Sequence, residues 1–459
     1  MYCLRVIIYN KDTQIVKQIQ EGIMLKKQFL KKALSLVCVL ALGVSGLAGC
    51  GISKTSVKTE NNEKSEGQVE IKVTLWDYAT TNYWSAIVDE FEKQNPDIKV
   101  KVVDIPSSDY DTKLPVMLSS GDDSDVVIIK SMPLYTGMIE KGQIDALDEY
   151  IQKDNVEMKP YLGIDESMKL DGKLYAIPFR NDYYVLYYNK DIFDAAGIPY
   201  PSNDMTWDEF REISKTLTSG EGNDKIYGAY THTWPLSLLR WGLVGGEHNM
   251  LEGNYEFFKE PYELFLAMQN EDKTMMDYGT LKTANIHYSG PFYKGQVAMM
   301  PMGTWVANLI INAKNNGDTA INWGIAKAPH FENQDAGSVV SNPTPFALNS
   351  NSKNKDAAWK FIKFACTEPG ANVLASLGTL PAYQTDATIN TLVSVDGFPE
   401  GAKEALAVDS VALEMPIHPQ SGAIDKAIAE EHDLIMLGGE SIDEGIANMN
   451  KRVKQILNK

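Results

Sequence analysis

The chain has 459 residues, 44% of them hydrophobic and 23% charged, a globular composition at a length that points to two domains rather than one compact core. Seven of its 43 Lys/Arg and two of its 61 Asp/Glu precede Cys50, which leaves 36 basic against 59 acidic groups and a formal charge of −23 from Cys50 onward. That balance excludes nucleic acid, whose phosphates demand a positive surface, and fits a soluble protein held off anionic lipid.

Lys26, Lys27, Lys31 and Lys32 open an uncharged apolar run over residues 33–47. This layout marks residues 1–49 as an export signal rather than a domain element. Residues 1–23 add nothing such a signal needs, so translation is expected to begin at Met24. Leu47-Ala48-Gly49-Cys50 closes the run. It resembles a bacterial lipobox, in which the cysteine is lipidated and becomes the mature N-terminus. Residues 50–68 then read as the lipidated cysteine and a disordered tether, because Ile52 and Val57 are its only large apolar residues and cannot offset chain entropy. No later stretch offers about 18 uninterrupted apolar residues, so the lipid is the expected membrane attachment. Of the four cysteines, Cys366 alone lies beyond Cys50, so no internal disulfide is expected. Its place near Trp359, Phe361 and Ile362 on the apolar side of a helix makes it a buried, inert thiol.

In the folded part, Ile71, Val73 and Leu75 alternate with Lys72 and Thr74, the period of a strand, and residues 76–82 form the loop after it. Trp84, Ile87, Val88 and Phe91 recur at helical spacing up to Pro96. Residues 98–103 alternate again, and the continuous apolar run 125–129 predicts a parallel strand covered on both faces. A helix follows through Met138. This β-α-β-α order predicts an α/β layered fold with a mostly parallel sheet. Further on, the aromatic run 183–188 is β-prone, and Thr206-Trp207-Asp208-Glu209 is a capping box ahead of a buried stripe of Trp207, Phe210, Ile213 and Leu217. Residues 321–325 read as a strand, 357–365 as a helix stopped before Pro369, and 442–457 as the last helix. No internal repeat and no long Gly/Pro linker interrupts this part, so the chain is expected to cross between its two domains more than once.

Leu170-Asp171-Gly172-Lys173-Leu174-Tyr175-Ala176-Ile177-Pro178, followed by Leu186-Tyr187-Tyr188-Asn189-Lys190-Asp191, resembles the signature of the family 1 extracellular solute-binding proteins of ABC importers. Phe292-Tyr293-Lys294-Gly295-Gln296-Val297-Ala298-Met299 with Gly303-Thr304-Trp305, then Asn322-Trp323-Gly324-Ile325, the 356–367 helix and Gly378-Thr379-Leu380-Pro381, extend the likeness in the same order over residues 69–459. The resemblance implies a type II periplasmic-binding-protein-like fold: two α/β lobes with mostly parallel sheets, joined by about three crossing segments and closing on a ligand. On that basis residues 69–181 and 325–379 form the N-lobe and 182–324 and 380–459 the C-lobe. The crossings fall near residues 180–183, 324–329 and 378–382.

A sugar site needs carboxylates or amides interleaved with Trp and Tyr on loops at strand ends, and this chain has eight Trp and 22 Tyr. By resemblance, Trp305 stands where the family often places a stacking aromatic, with Gly303 two residues earlier allowing close approach. Asp182, seven residues before Asn189-Lys190-Asp191, stands where maltose-binding members carry a ligand carboxylate. The alternative for Asp182 is an ion pair with Arg180. Tyr183 offers a face or hydroxyl there, or packs in the sheet. Trp234 and Trp241 lie in an aromatic, Gly-bounded region, one expected to face ligand and the other core. Trp76, Tyr78 and Tyr83 follow the first strand, where the N-lobe contacts begin, with Trp76 open to a structural role. Trp207, Trp323 and Trp359 are assigned to the core. Three departures argue against maltose itself: Thr80-Thr81 replaces a charged pair, Asp425 stands near the place of a late tryptophan, and Ser341-Asn342-Pro343 replaces a Gly-Gly pair common in relatives.

The function implied is a lipid-anchored, non-enzymatic and monomeric receptor that captures a carbohydrate and delivers it to the permease subunits of an ABC importer, with no cofactor and no metal. Two alternatives stay open. The same fold could bind ferric ion or an anion through Tyr183, Tyr184, Tyr187 and Tyr188, or a polyamine through acidic residues. A surface glycosidase could use paired carboxylates, although so many acidic residues make any pairing unspecific. The six His are scattered and form no metal-ligand spacing. Mass spectrometry of the precursor is expected to yield no peptide from residues 1–20; detecting one would move the start back to Met1.

Overall fold

The computed structural model describes residues 68–458. The export signal, Met24, Cys50 and the tether up to residue 67 lie outside the described residues.

Among the described residues, nine strands share one connected ladder. Val69–Trp76 (β1) pairs in parallel with Ile98–Ile105 (β2) and with Val126–Ile128 (β3). Helix Asn82–Gln94 crosses between the first two strands and buries the predicted stripe of Trp84, Ile87, Val88 and Phe91. All three β3 residues are buried, as a strand covered on both faces requires. Ala176–Asn189 (β4) is the long strand, and every one of its 14 residues is buried. Its first half, 176–183, runs antiparallel to Ser338–Leu348 (β8), which also flanks β3. Its second half runs antiparallel to Val297–Gly303 (β6) over 184–188 and to Trp323–Lys327 (β7) over 185–189. Tyr227–Ala229 (β5) joins β6 in parallel, and Ser410–Leu413 (β9) joins β8 in parallel.

Two expectations change here. The sheet is mixed rather than mostly parallel: four of the pairings are parallel and four antiparallel. The antiparallel ones all involve β4 or β8, which pass between the two sets of strands instead of being wound through βαβ units. Residues 324–327, read as a crossing, are paired along the second half of β4, and the chain returns to the first set along β8. Proline marks this passage. Pro178, Pro343 and Pro345 have no N–H to give to the ladder, and the register shifts between Pro178 and Arg180, the kind of bulge where strand proline is tolerated.

The core fills both sides. Trp84 stacks on Phe179 with centroids 5.4 Å apart and donates its indole N–H to the Trp76 carbonyl at 2.8 Å. Trp207, Trp323 and Trp359 are all buried, and Trp207 meets Trp241 edge-on at 4.8 Å. The Thr206–Glu209 capping box forms in both directions, and the last helix spans Ile442–Leu457. Cys366 is buried, donates to the Ile177 carbonyl at 3.3 Å, and has its thiol pushed up by burial.

His432, on helix Ser421–Met436, is 1% exposed and shares a 2.9 Å hydrogen bond with the Tyr262 hydroxyl. Burial lowers it to about 3, Asp433 opposing and Lys282 adding to the shift. Its folded value lies below the ordinary 6.5, so on acidification the unfolded chain takes up the proton first. Stability should therefore fall as the pH drops below 6.5 and level off only near 3, by at most ~1.4 kcal/mol per pH unit for one site. Urea midpoints measured across that range should decline, and His432→Gln should flatten the slope; an unchanged slope would remove His432 as its source.

Candidate functional site

Side chains alternate along a strand, so Arg180, Asp182 and Tyr184 share one face of β4. Asp182 is 5% exposed. Its Oδ1 accepts the Thr304 hydroxyl at 2.8 Å and its Oδ2 lies 3.5 Å from Arg180 Nη1. The pair offered by the sequence as the alternative to a ligand role is therefore present, though the separation is long for a charge-assisted hydrogen bond. The Arg180 guanidinium sits 5.3 Å from the centre of the Tyr83 ring. At the next same-face position, Arg240 covers the Tyr184 ring at 3.6 Å, donates to the Val340 carbonyl and pairs with Glu414 at 3.1 Å. Burial raises Glu414 against the pull of Arg240, with Asp425 and Asp182 adding to the rise. Two buried ion pairs thus stand side by side. Each charge needs its partner, because a buried charge left alone is strongly destabilising.

An aromatic wall rises beside these groups. β6 ends at Gly303, and Thr304-Trp305 lead into helix Val306–Asn315. A Cβ on Gly303 would sit 1.8 Å from the Trp305 ring, so the close approach read from the sequence is real. Trp305 is half-buried, donates its indole N–H to the Tyr288 hydroxyl at 2.9 Å, and lies 6.0 Å edge-on from Tyr184. Trp234, on the turn before the short helix Leu236–Leu239, stays 44% exposed. Its ring centroid is 6.2 Å from Trp305, 6.0 Å from Tyr288 and 4.4 Å from His232. Burial, with His287 adding, lowers His232 to about 4. It is therefore neutral near pH 7, sharing a 2.8 Å hydrogen bond with the Tyr230 hydroxyl.

The structure thus brings Asp182, Tyr83, Trp305 and Trp234 into one neighbourhood. The other predicted residues lie elsewhere. Trp241 is 3% exposed, packed between Trp207 and Tyr184, and donates to the Ser237 carbonyl. Tyr183 points to the opposite face of β4, 1% exposed, its hydroxyl donating to the Leu406 carbonyl at 2.6 Å. Trp76 is 8% exposed, edge-on to Trp84 and Tyr110. Tyr78 is half-buried, its phenol raised chiefly by burial, and its backbone N–H donates to Asp104 Oδ1 at the end of β2 at 3.0 Å. Sequence reasoning missed Tyr288, Arg240 and Glu414, and gave Arg180 only as a neutralising partner. Strand period alone places Arg180 beside Asp182; no local signal brings residues 240, 288 and 414 to β4. Three of the four tyrosines of the iron reading have engaged hydroxyls: that of Tyr183 donates to the Leu406 carbonyl, that of Tyr184 shares a hydrogen bond with Ser237, and that of Tyr187 donates to the Gly303 and Thr304 carbonyls.

Residues 79–372 match the family model for bacterial extracellular solute-binding proteins. The chain belongs to that family. A sugar transporter from Rhizobium etli, solved in an open conformation, is 39% identical, with a TM-score of 0.75 over 84% of this chain and 99% of that one. An ABC substrate-binding protein from Listeria monocytogenes, solved with cycloalternan, has the same fold at 22% identity, with a TM-score of 0.72 over 85% of this chain and 99% of its own. Among characterised sequences, a maltotriose-binding protein of Pyrococcus abyssi is 23% identical over 77% of this chain and 75% of its own length. The solute-binding role of this chain follows from its family.

Gly303→Ala should push the Trp305 indole from its place, since a Cβ and the ring cannot both stay where they are at 1.8 Å. The expected result is a shift in tryptophan emission and weaker ligand binding; unchanged emission would mean the ring does not depend on Gly303.

Proposed function

We propose that this protein is the carbohydrate-capturing component of an ABC importer, closing two lobes on a saccharide and passing it to the permease subunits without bond chemistry. The observation that carries this reading is the exposed Trp234 beside Trp305, next to the buried Asp182–Arg180 pair. A sugar ring has an apolar face that stacks on indole and a rim of hydroxyls that hydrogen-bond to carboxylate and guanidinium. Relatives support the same class, including a lactose-binding protein of Rhizobium radiobacter and a galactooligosaccharide-binding protein of Bacillus subtilis.

Residues 69–181 with the chain from β8 to residue 379 serve as one lobe and residues 182–327 with 380–459 as the other, the return boundary being moved to β8 because β7 pairs along the second half of β4. The handover of β4 from β8 to β6 and β7 at residues 183–184 supports the first boundary. Closure would bend a few residues of the crossing strands. The protein acts as a monomer at the outer face of the cell membrane, held by lipid on Cys50. No described helix is long and apolar enough to cross a membrane, which fits attachment through the lipid.

Titrating purified protein with mono- and oligosaccharides tests the central claim. A ligand at a hundredfold excess over its Kd should add ~2.7 kcal/mol of stability, read as a rise in melting temperature. No rise across a broad panel would sink the sugar assignment. Trp234→Ala should weaken binding of the active sugar about tenfold while leaving the melting of unliganded protein nearly unchanged. For the anchor, labelled fatty acid should enter the wild-type chain and not Cys50→Ala; equal labelling would place the lipid elsewhere.

A further inference from the structure

The crossing strands hold a polar group of unusual incompleteness. Arg180 is 7% exposed, yet its Nε has no hydrogen-bond partner among the described residues. Its one ionic neighbour, Asp182, stands off at 3.5 Å. Across the ladder, Asn342 has a buried Oδ1 that also lacks a partner among the described residues, while its amide nitrogen makes only a long 3.4 Å contact to the Lys130 carbonyl. Asp182 pairs with Asn342 and Arg180 with Thr344 in antiparallel register, so all four side chains share one face. Arg180 and Asn342 are then diagonal neighbours, about 7–8 Å apart at the backbone. An unpaired donor, an unpaired acceptor and a carboxylate whose Oδ2 makes only the long contact to Arg180 therefore lie within the span of a single sugar ring.

We propose that Arg180, Asp182 and Asn342 form an orienting subsite for neighbouring hydroxyls of an uncharged ring, and that the subsite selects against acidic and cationic sugars. The proposal rests on the carbohydrate reading above and narrows it. A hydroxyl donates and accepts at once, so two adjacent hydroxyls can accept from Arg180 and donate to Asn342 Oδ1 and Asp182. A carboxylate would satisfy Arg180 but face Asp182 and leave the Asn342 oxygen without a donor. An ammonium group would donate to Asp182 and to Asn342 Oδ1, but it cannot accept from Arg180 and meets it as a like charge. A neutral polyol completes all three groups without either conflict.

The test is calorimetric titration of the purified protein with the sugar that binds best in the panel, its monodeoxy derivatives and its uronate. Arg180→Lys, which keeps the charge and loses Nε, and Asn342→Ala should each weaken the neutral sugar roughly ten- to hundredfold. The deoxy derivative that lacks the contacted hydroxyl should bind wild type weakly and Arg180→Lys no more weakly, a non-additivity that a purely structural role would not produce. The uronate should bind wild type at least about tenfold less tightly than the parent sugar, roughly one charge-assisted contact's worth. Should Arg180→Lys fold poorly, Asn342→Ala carries the comparison. Wild-type affinity in both variants, or tighter binding of the uronate, would overturn the subsite alone. Absence of any sugar binding by wild type would overturn the transport reading and the subsite with it.

Discussion

β4 is hydrogen-bonded to β8 along its first half and to β6 and β7 along its second, and it is buried at every position. A strand so enclosed has no solvent-facing side on which to place charge. Its sequence nevertheless puts Arg180, Asn181 and Asp182 at the handover, where burial of each is costly unless a partner is supplied. The surroundings are arranged to supply those partners. Thr304 is turned toward Asp182 by the end of β6, Arg240 and Glu414 pair against the Tyr184 ring, and Tyr83 offers its face to Arg180. The aromatic wall of Trp305, Tyr288 and Trp234 stands on segments that follow or precede β6, so it is positioned by the same ladder.

Around the handover, proline thins the hydrogen bonding. Pro343 faces Asn181 and Pro345 faces Pro178 across β4 and β8. A ladder stripped of these donors offers less resistance to a change of dihedral angle than a continuous one. The shared strand therefore combines a densely packed aromatic interior on either side with a weakly tied middle, which suits a fold whose family works by closing on a solute.

Much of this was legible in the sequence because it is local. The capping box at Thr206, the stripe of Trp84, Ile87, Val88 and Phe91, and the terminal helix 442–457 each follow from spacing within a dozen residues. The motifs around residues 170–191 and 292–305 pointed to the family in the same way. What stayed hidden depends on long-range packing. Trp76 and Tyr78 sit beside the right strand, but Trp84 of helix Asn82–Gln94 claims the first and Asp104 at the end of β2 holds the backbone of the second. Tyr183 and Asp182 differ by one position, and the strand period sends Tyr183 to Leu406 instead of to the aromatic wall. The place of the return crossing was taken from resemblance, and pairing of residues 323–327 along β4 moved it to β8. Arg240, Tyr288 and Glu414 come from three distant segments, and no periodicity links them.

The double duty of β4 has an evolutionary consequence. On the proposed reading, a substitution at residue 180 or 182 would change what is recognised and also the packing of the strand shared by the two sets of strands, so preference and mechanics could not drift independently there. Trp234 is free of that bond: it sits on a turn outside the ladder, half in solvent, and takes part in no strand pairing. Lineages acquiring a new diet would find their variation tolerated first on the turn around residue 234, with the strand floor changing late and only in compensated steps.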